Sequence, residues 1–217
     1  FPANNYPGKL DVEVVFTIPE DSNALVIEYF ATTSEPTMVN LTHHAYFNFE
    51  DAGVSKILDH QLLINAEFFT PINNELIPTG ELLKVKNTPL DFTSMKEIGR
   101  DIDRKHQQIE HGYGFDHNFV LEKKYHGEIS LAAVLVSPKR DIKMNLYTNQ
   151  PGLQFYSGNF FDGSHEGRNG VKYDYRSAVA LEPQLFPDSP NQEHFPSPVL
   201  NPDEKYYHIS VYSFETE

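Results

Sequence analysis

Leu10, Val12, Val14, Phe16 and Ile18 alternate with Asp11, Glu13, Val15 and Thr17, and after Pro19-Glu20-Asp21-Ser22-Asn23 the alternation resumes at Leu25, Ile27, Tyr29 and Ala31. Side chains that change face at every residue fit an extended chain with one buried side, so two such runs around a polar turn predict an antiparallel hairpin. Further strands are predicted at 37–45, 61–69, 128–136, 141–148, 153–159, 179–182 and 206–214, with Pro, Gly and Asn turns between them. Helix signals are sparse. Ser94 and Glu97 form a capping-box pattern that predicts one short helix opening near Thr93–Ile98. The fold class that follows is all-β, an antiparallel sandwich or barrel, with its chemistry on the exposed loops.

The 217 residues, 39% of them apolar, suffice for a substantial core, and the expectation is one domain over 1–217. The Pro-rich run from Pro183 to Pro202 reads as a loop, because apolar residues interrupt it and a strand follows. A formal charge of -14 disfavours nucleic acid and anionic membranes as partners, since both would be repelled. No apolar run approaches a membrane-spanning length, and the first residues lack the pattern of a signal peptide. Absence of cysteine removes disulfides and thiolate metal sites and fits a reducing compartment, so a soluble, cytoplasmic protein is expected. The sequon Asn40-Leu41-Thr42 falls in a strand expected to be buried, where a glycan would not fit.

Three polar segments interrupt the apolar pattern: Asn40–Phe49, Gly114–Phe119 and Leu181–Gln192. On a strand His44 and Tyr46 share a face while His43 points away, and the same parity pairs Asp116 with Asn118, Gln154 with Tyr156, and Glu182 with Gln184. Pro183 holds Glu182 extended and removes the following backbone donor. Together the segments offer one imidazole and two carboxylates, a set suited to acid/base chemistry on a polyhydroxylated substrate without a metal or cofactor. A metal centre is disfavoured, because no His-x-His or His-x-x-x-His pair occurs among the ten histidines. The same residues are compatible with a non-catalytic carbohydrate-binding module. Glycoside hydrolysis by Asp116 and Glu182 is a further alternative.

Several ordered motifs resemble the aldose 1-epimerase, or galactose mutarotase, family. They are Asn40-Leu41-Thr42-His43-His44-Ala45-Tyr46-Phe47-Asn48-Phe49, Leu76–Gly80, Pro89–Phe92, Gly114-Phe115-Asp116-His117-Asn118-Phe119, Pro151-Gly152-Leu153-Gln154-Phe155-Tyr156-Ser157-Gly158-Asn159, and Leu181-Glu182-Pro183-Gln184 running on to Gln192. The resemblance covers essentially the whole chain and implies a galactose mutarotase-like β-sandwich. It implies interconversion of the α and β anomers of a free aldohexose, with Glu182 as base on the anomeric hydroxyl and His44 as acid on the ring oxygen. Asp116, Gln154, Tyr46 and Phe155 would contact the sugar, with aromatic rings such as Phe155 or Tyr156 as the wall of the pocket. A carboxylate beside the imidazole would hold its proton near neutral pH. Family members carry a long portion before the counterpart of Tyr6-Pro7-Gly8, with a further pocket His and an Arg, so an N-terminal segment of the same protein is the expected partner. His43 stands where the family commonly has Asn, and a neutral effect is expected there.

Overall fold

The computed structural model describes residues 6–167 and 170–216. A seven-stranded antiparallel sheet contains β1 (Leu10–Thr17), β2 (Ala24–Thr33), β5 (Gln61–Ile64), β8 (Lys96–Glu97), β10 (Ser130–Val136), β11 (Ile142–Thr148) and β15 (Tyr206–Thr216). Its spatial order is β1-β2-β15-β11-β10-β5-β8. The six-stranded sheet contains β4 (Tyr46–Phe47), β6 (Phe68–Thr70), β7 (Leu83–Lys84), β9 (Asp116–Val120), β12 (Gly152–Tyr156) and β13 (Val179–Gln184), in the order β4-β13-β12-β9-β6-β7. A small ribbon pairs β3 (Thr37–Met38) with β14 (Val199–Leu200).

One core lies between the two large sheets. Ile27, Tyr29, Leu62, Ile64, Leu135, Met144, Leu146 and Tyr212 enter it from the first, and Phe69, Phe119, Leu153, Phe155, Val179 and Leu181 from the second. Tyr212 bridges the layers, its hydroxyl donating to the Leu181 carbonyl at 3.4 Å. The predicted hairpin forms, with Leu10 opposite Thr33 and Thr17 opposite Val26. Only its β1 half leaves apolar side chains uncovered: β1 is an edge strand, and Phe16 and Ile18 are 59% and 76% exposed, while Ile27 and Tyr29 of β2 are buried.

Three local expectations are corrected. The segment predicted to start a helix at Thr93 instead forms β8, because Lys96 pairs with Leu62 and Glu97 with Gln61; only a 3-10 turn, Ile98–Arg100, follows. Among the described residues the α-helix is α1 (Gln107–Gly112), capped by His106, whose side chain accepts from Gln108 N–H, and ended by Tyr113 at φ 55. The strand expected over 37–45 reduces to β3, and residues 39–45 carry no ladder before β4 begins. The Pro-rich run holds more order than a loop: Pro183 lies within β13, Ser189–Asn191 is a 3-10 turn, and β14 follows.

Candidate active site

Register across the six-stranded sheet assembles the site on its outer face. One rung runs Tyr46, Ala180, Tyr156, Asp116 across β4, β13, β12 and β9, and the next runs Glu182, Gln154, Asn118, Thr70. Residues two apart on a strand share a face, so these rungs stack their side chains on one surface while Leu181, Phe155 and Phe119 point into the core. The result is an open cavity of about 410 Å³ lined by His44, Tyr46, Asp116, Gln154, Tyr156, Phe160, Glu182, Gln184 and Pro187.

His44 sits two residues before the start of β4, and its Nε2 lies 3.3 Å from Glu182 Oε1. The imidazole is half exposed while the carboxylate is 9% exposed. Burial, reinforced by the negative charge of Asp116, pushes Glu182 up to about 7. A carboxylate with that proton affinity is a far stronger base than an exposed glutamate and still ionises near neutrality. Burial also raises Asp116, although Gln154 Nε2 donates to its Oδ1 at 2.6 Å and the nearby His44 opposes the shift. Burial, then Glu182 and Asp116, raises the Tyr46 phenol, so it remains a hydrogen-bond donor in this pocket.

His44, Tyr46, Asp116, Gln154 and Glu182 thus meet in one cavity. Phe155 does not join them. It is fully buried, stacked on Phe115 at 5.2 Å, and the phase of β12 gives its expected place to Tyr156. Tyr156 accepts the Phe160 N–H at 2.8 Å and stacks on the Phe160 ring. Phe160 had no period-two signal, because it follows the end of β12. His43 turns to the core side, packing edgewise on Tyr212. Asn118, sharing the face of Asp116 as parity required, is buried and donates to Thr70 Oγ1 instead of lining the cavity. The sequon is not in a buried strand: Asn40 is exposed, with its carboxamide paired to the Leu185 backbone. Among the described residues no three or more His, Asp or Glu side chains are grouped to hold a metal ion, and no helix is long and apolar enough to cross a membrane.

Comparison with known proteins gives a consistent likeness. The aldose 1-epimerase family model matches residues 2–213. Galactose mutarotase of Bos taurus is 41% identical over 213 residues, 96% of this chain and 58% of that protein. Aldose 1-epimerase of Haemophilus influenzae is 37% identical over 97% of this chain and 61% of its own length. Among solved structures, the aldose epimerase homologue of C. elegans superimposes with a TM-score of 0.86 at 30% identity, over 98% of this chain and 62% of that one. The chain therefore spans about three-fifths of the length of these relatives.

Proposed function

This chain belongs to the aldose 1-epimerase family, and from that premise we propose that it carries the acid/base machinery for interconverting the α and β anomers of a free aldohexose such as galactose or glucose. The observation that carries the reading is the 3.3 Å contact between His44 Nε2 and the buried Glu182 carboxylate inside a sugar-sized cavity. Glu182 takes the proton from the anomeric hydroxyl while His44 delivers one to the ring oxygen, breaking the C1–O5 bond and leaving an open-chain aldehyde. Rotation about C1–C2 presents the other carbonyl face. The hydroxyl then attacks it as both proton transfers reverse, so atoms and charge balance without a co-reactant. Asp116, Gln154, Tyr46 and Tyr156 supply acceptors, donors and ring faces for the remaining hydroxyls and carbons of the sugar. Phe155, from the core, supports this wall only through packing. Absence of cysteine favours a reducing, cytoplasmic setting.

Polarimetry tests the proposal. A freshly dissolved single anomer of galactose is expected to reach its equilibrium rotation faster with protein than without. Because the base must be ionised and Glu182 is raised to about 7, kcat/KM is expected to climb with pH through that value. A rate that is flat between about pH 6 and pH 8 would count against Glu182 as the base. Binding of galactose with no acceleration would leave a sugar-binding module.

The uncovered face of β1 supports a second element of the reading. Val12, Val14, Phe16 and Ile18 form an exposed apolar stripe along a free sheet edge, an arrangement prone to association. We infer that a further segment of a protein of the relatives' length covers this stripe and contributes to the pocket. A chain that is monomeric, folded and fully active by itself would overturn that inference.

A further inference from the structure

Resting on the acid/base reading above, we propose that Asn40 and Thr42 are positioning residues that set the gap between His44 and Glu182. The two catalytic groups reach each other by different means. Glu182 is fixed by β13, which is hydrogen-bonded to β12 along its length. His44 has no such support, because residues 39–45 form no ladder and β4 pairs with β13 only at Phe47–Val179 and Tyr46–Ala180. Pro183 has no N–H to continue a ladder. Side chains take over where the backbone stops: Thr42 Oγ1 donates to the Pro183 carbonyl at 2.8 Å. Asn40 makes a reciprocal pair, Nδ2 donating to Leu185 O at 3.2 Å and Oδ1 accepting from Leu185 N at 2.9 Å. These three bonds grip β13 and its continuation on the residues just after Glu182, two and four positions ahead of His44. On the other side Leu41 is held by Tyr206 Oη, which accepts its N–H at 3.3 Å, and by His208 Nδ1, 2.9 Å from its carbonyl.

Asn40 is exposed and Thr42 partly so, which makes their bonds a small part of the fold's stability and a large part of this local register. Beyond the Val39 N–H, which donates to Pro198 O at 2.8 Å, the segment is held by side-chain bonds; such a segment slides or tilts when one bond is lost, and proton transfer between positioned groups is steep in distance. The motif first met as a glycosylation sequon is on this reading a clamp between the acid and the base.

The test compares Thr42→Val, which keeps the shape and removes the donor, with Thr42→Ser, which restores it, and with Asn40→Ala. Thr42→Val and Asn40→Ala are each expected to lower kcat about tenfold with KM changed less than about twofold, while Thr42→Ser stays within about twofold of the parent. In a His44→Asn background, Thr42→Val is expected to change kcat less than about twofold, because the group it positions is gone. Losses that multiply in the double variant, or a Thr42→Ser protein as slow as Thr42→Val, would overturn the proposal. If Thr42→Val fails to fold, Asn40→Ala at its exposed position carries the same cycle. Should the parent protein show no acceleration, the mutarotase reading fails, and the clamp is judged by NMR titration of the His44 ring. A midpoint moved by Thr42→Val and restored in Thr42→Ser supports the clamp, and midpoints identical in all three proteins sink it.

Discussion

Glu182→Gln is expected to lower the mutarotation rate about 10³-fold while leaving a protein that folds and still binds galactose. The amide keeps the shape and hydrogen-bonding reach of the side chain but is far too weak a base to take the anomeric proton. The same substitution is expected to raise stability at neutral and alkaline pH. In the folded protein the carboxyl is raised from 4.5 to about 7, so between those values the folded state binds more protons than the unfolded state, and stability falls as pH rises through the window. Above about pH 7 the ionised, buried carboxylate costs up to about 3 kcal/mol, at roughly 1.4 kcal/mol per pH unit. The amide side chain escapes that cost, since it does not titrate. Denaturant melts at about pH 8 and pH 4.5 measure the difference: the variant's advantage should be largest at the higher pH and vanish at the lower. Equal stability at both, or a variant with full activity, would refute the assignment of Glu182 as a buried base.

Strand positions were legible in the sequence because each large sheet buries one face, which stamps period two onto β2, β5, β11, β12 and β15, while β10 reads as a short apolar run whose alternation is broken by a register shift between Leu131 and Ala133. Register was not legible, since it depends on which strands meet. That is why the gathering of His44, Asp116, Gln154 and Glu182 on one face came from a family resemblance and from parity within each strand, and only the pairing Glu182–Gln154–Asn118 joins the parities into a surface. Helix signals failed for reasons of chemistry. Ser94 and Glu97 have the residue types of a capping box, yet the backbone at Lys96 gains a partner in Leu62, and its buried ammonium donates to Pro89 O and Asp101 while lying 4.1 Å from the Phe92 ring. The six-residue α1 is too short to display an apolar stripe, its cap is a histidine, and its terminus is a tyrosine in a conformation more usual for glycine. The bonds of Asn40 and Thr42 were equally invisible, because they reach residues more than 140 positions away.

Phe155→Ala is expected to unfold the protein more easily by about 3–5 kcal/mol and Tyr156→Ala to weaken sugar binding, although the two residues are neighbours in one motif. Phe155 is fully buried, stacked on Phe115 at 5.2 Å and edge-on to Phe92 at 5.5 Å, so its removal opens a cavity among aromatic rings that have no freedom to close it. For a chain of this size the loss corresponds to a drop in Tm of about 10 °C. Tyr156 points the opposite way, beside His44 and Tyr46 at the cavity. The discriminating variant is Phe155→Leu, which keeps most of the volume and folds well enough to assay. It should melt earlier than the parent yet show an unchanged KM for galactose at temperatures where it is folded. A raised KM in Phe155→Leu without loss of stability would place that ring in the pocket, invert the phase of β12 and turn Gln154 away from Asp116. The 2.6 Å bond between Gln154 and Asp116 requires the opposite phase, so core packing and the cavity-facing hydrogen bonds stand or fall on the same register.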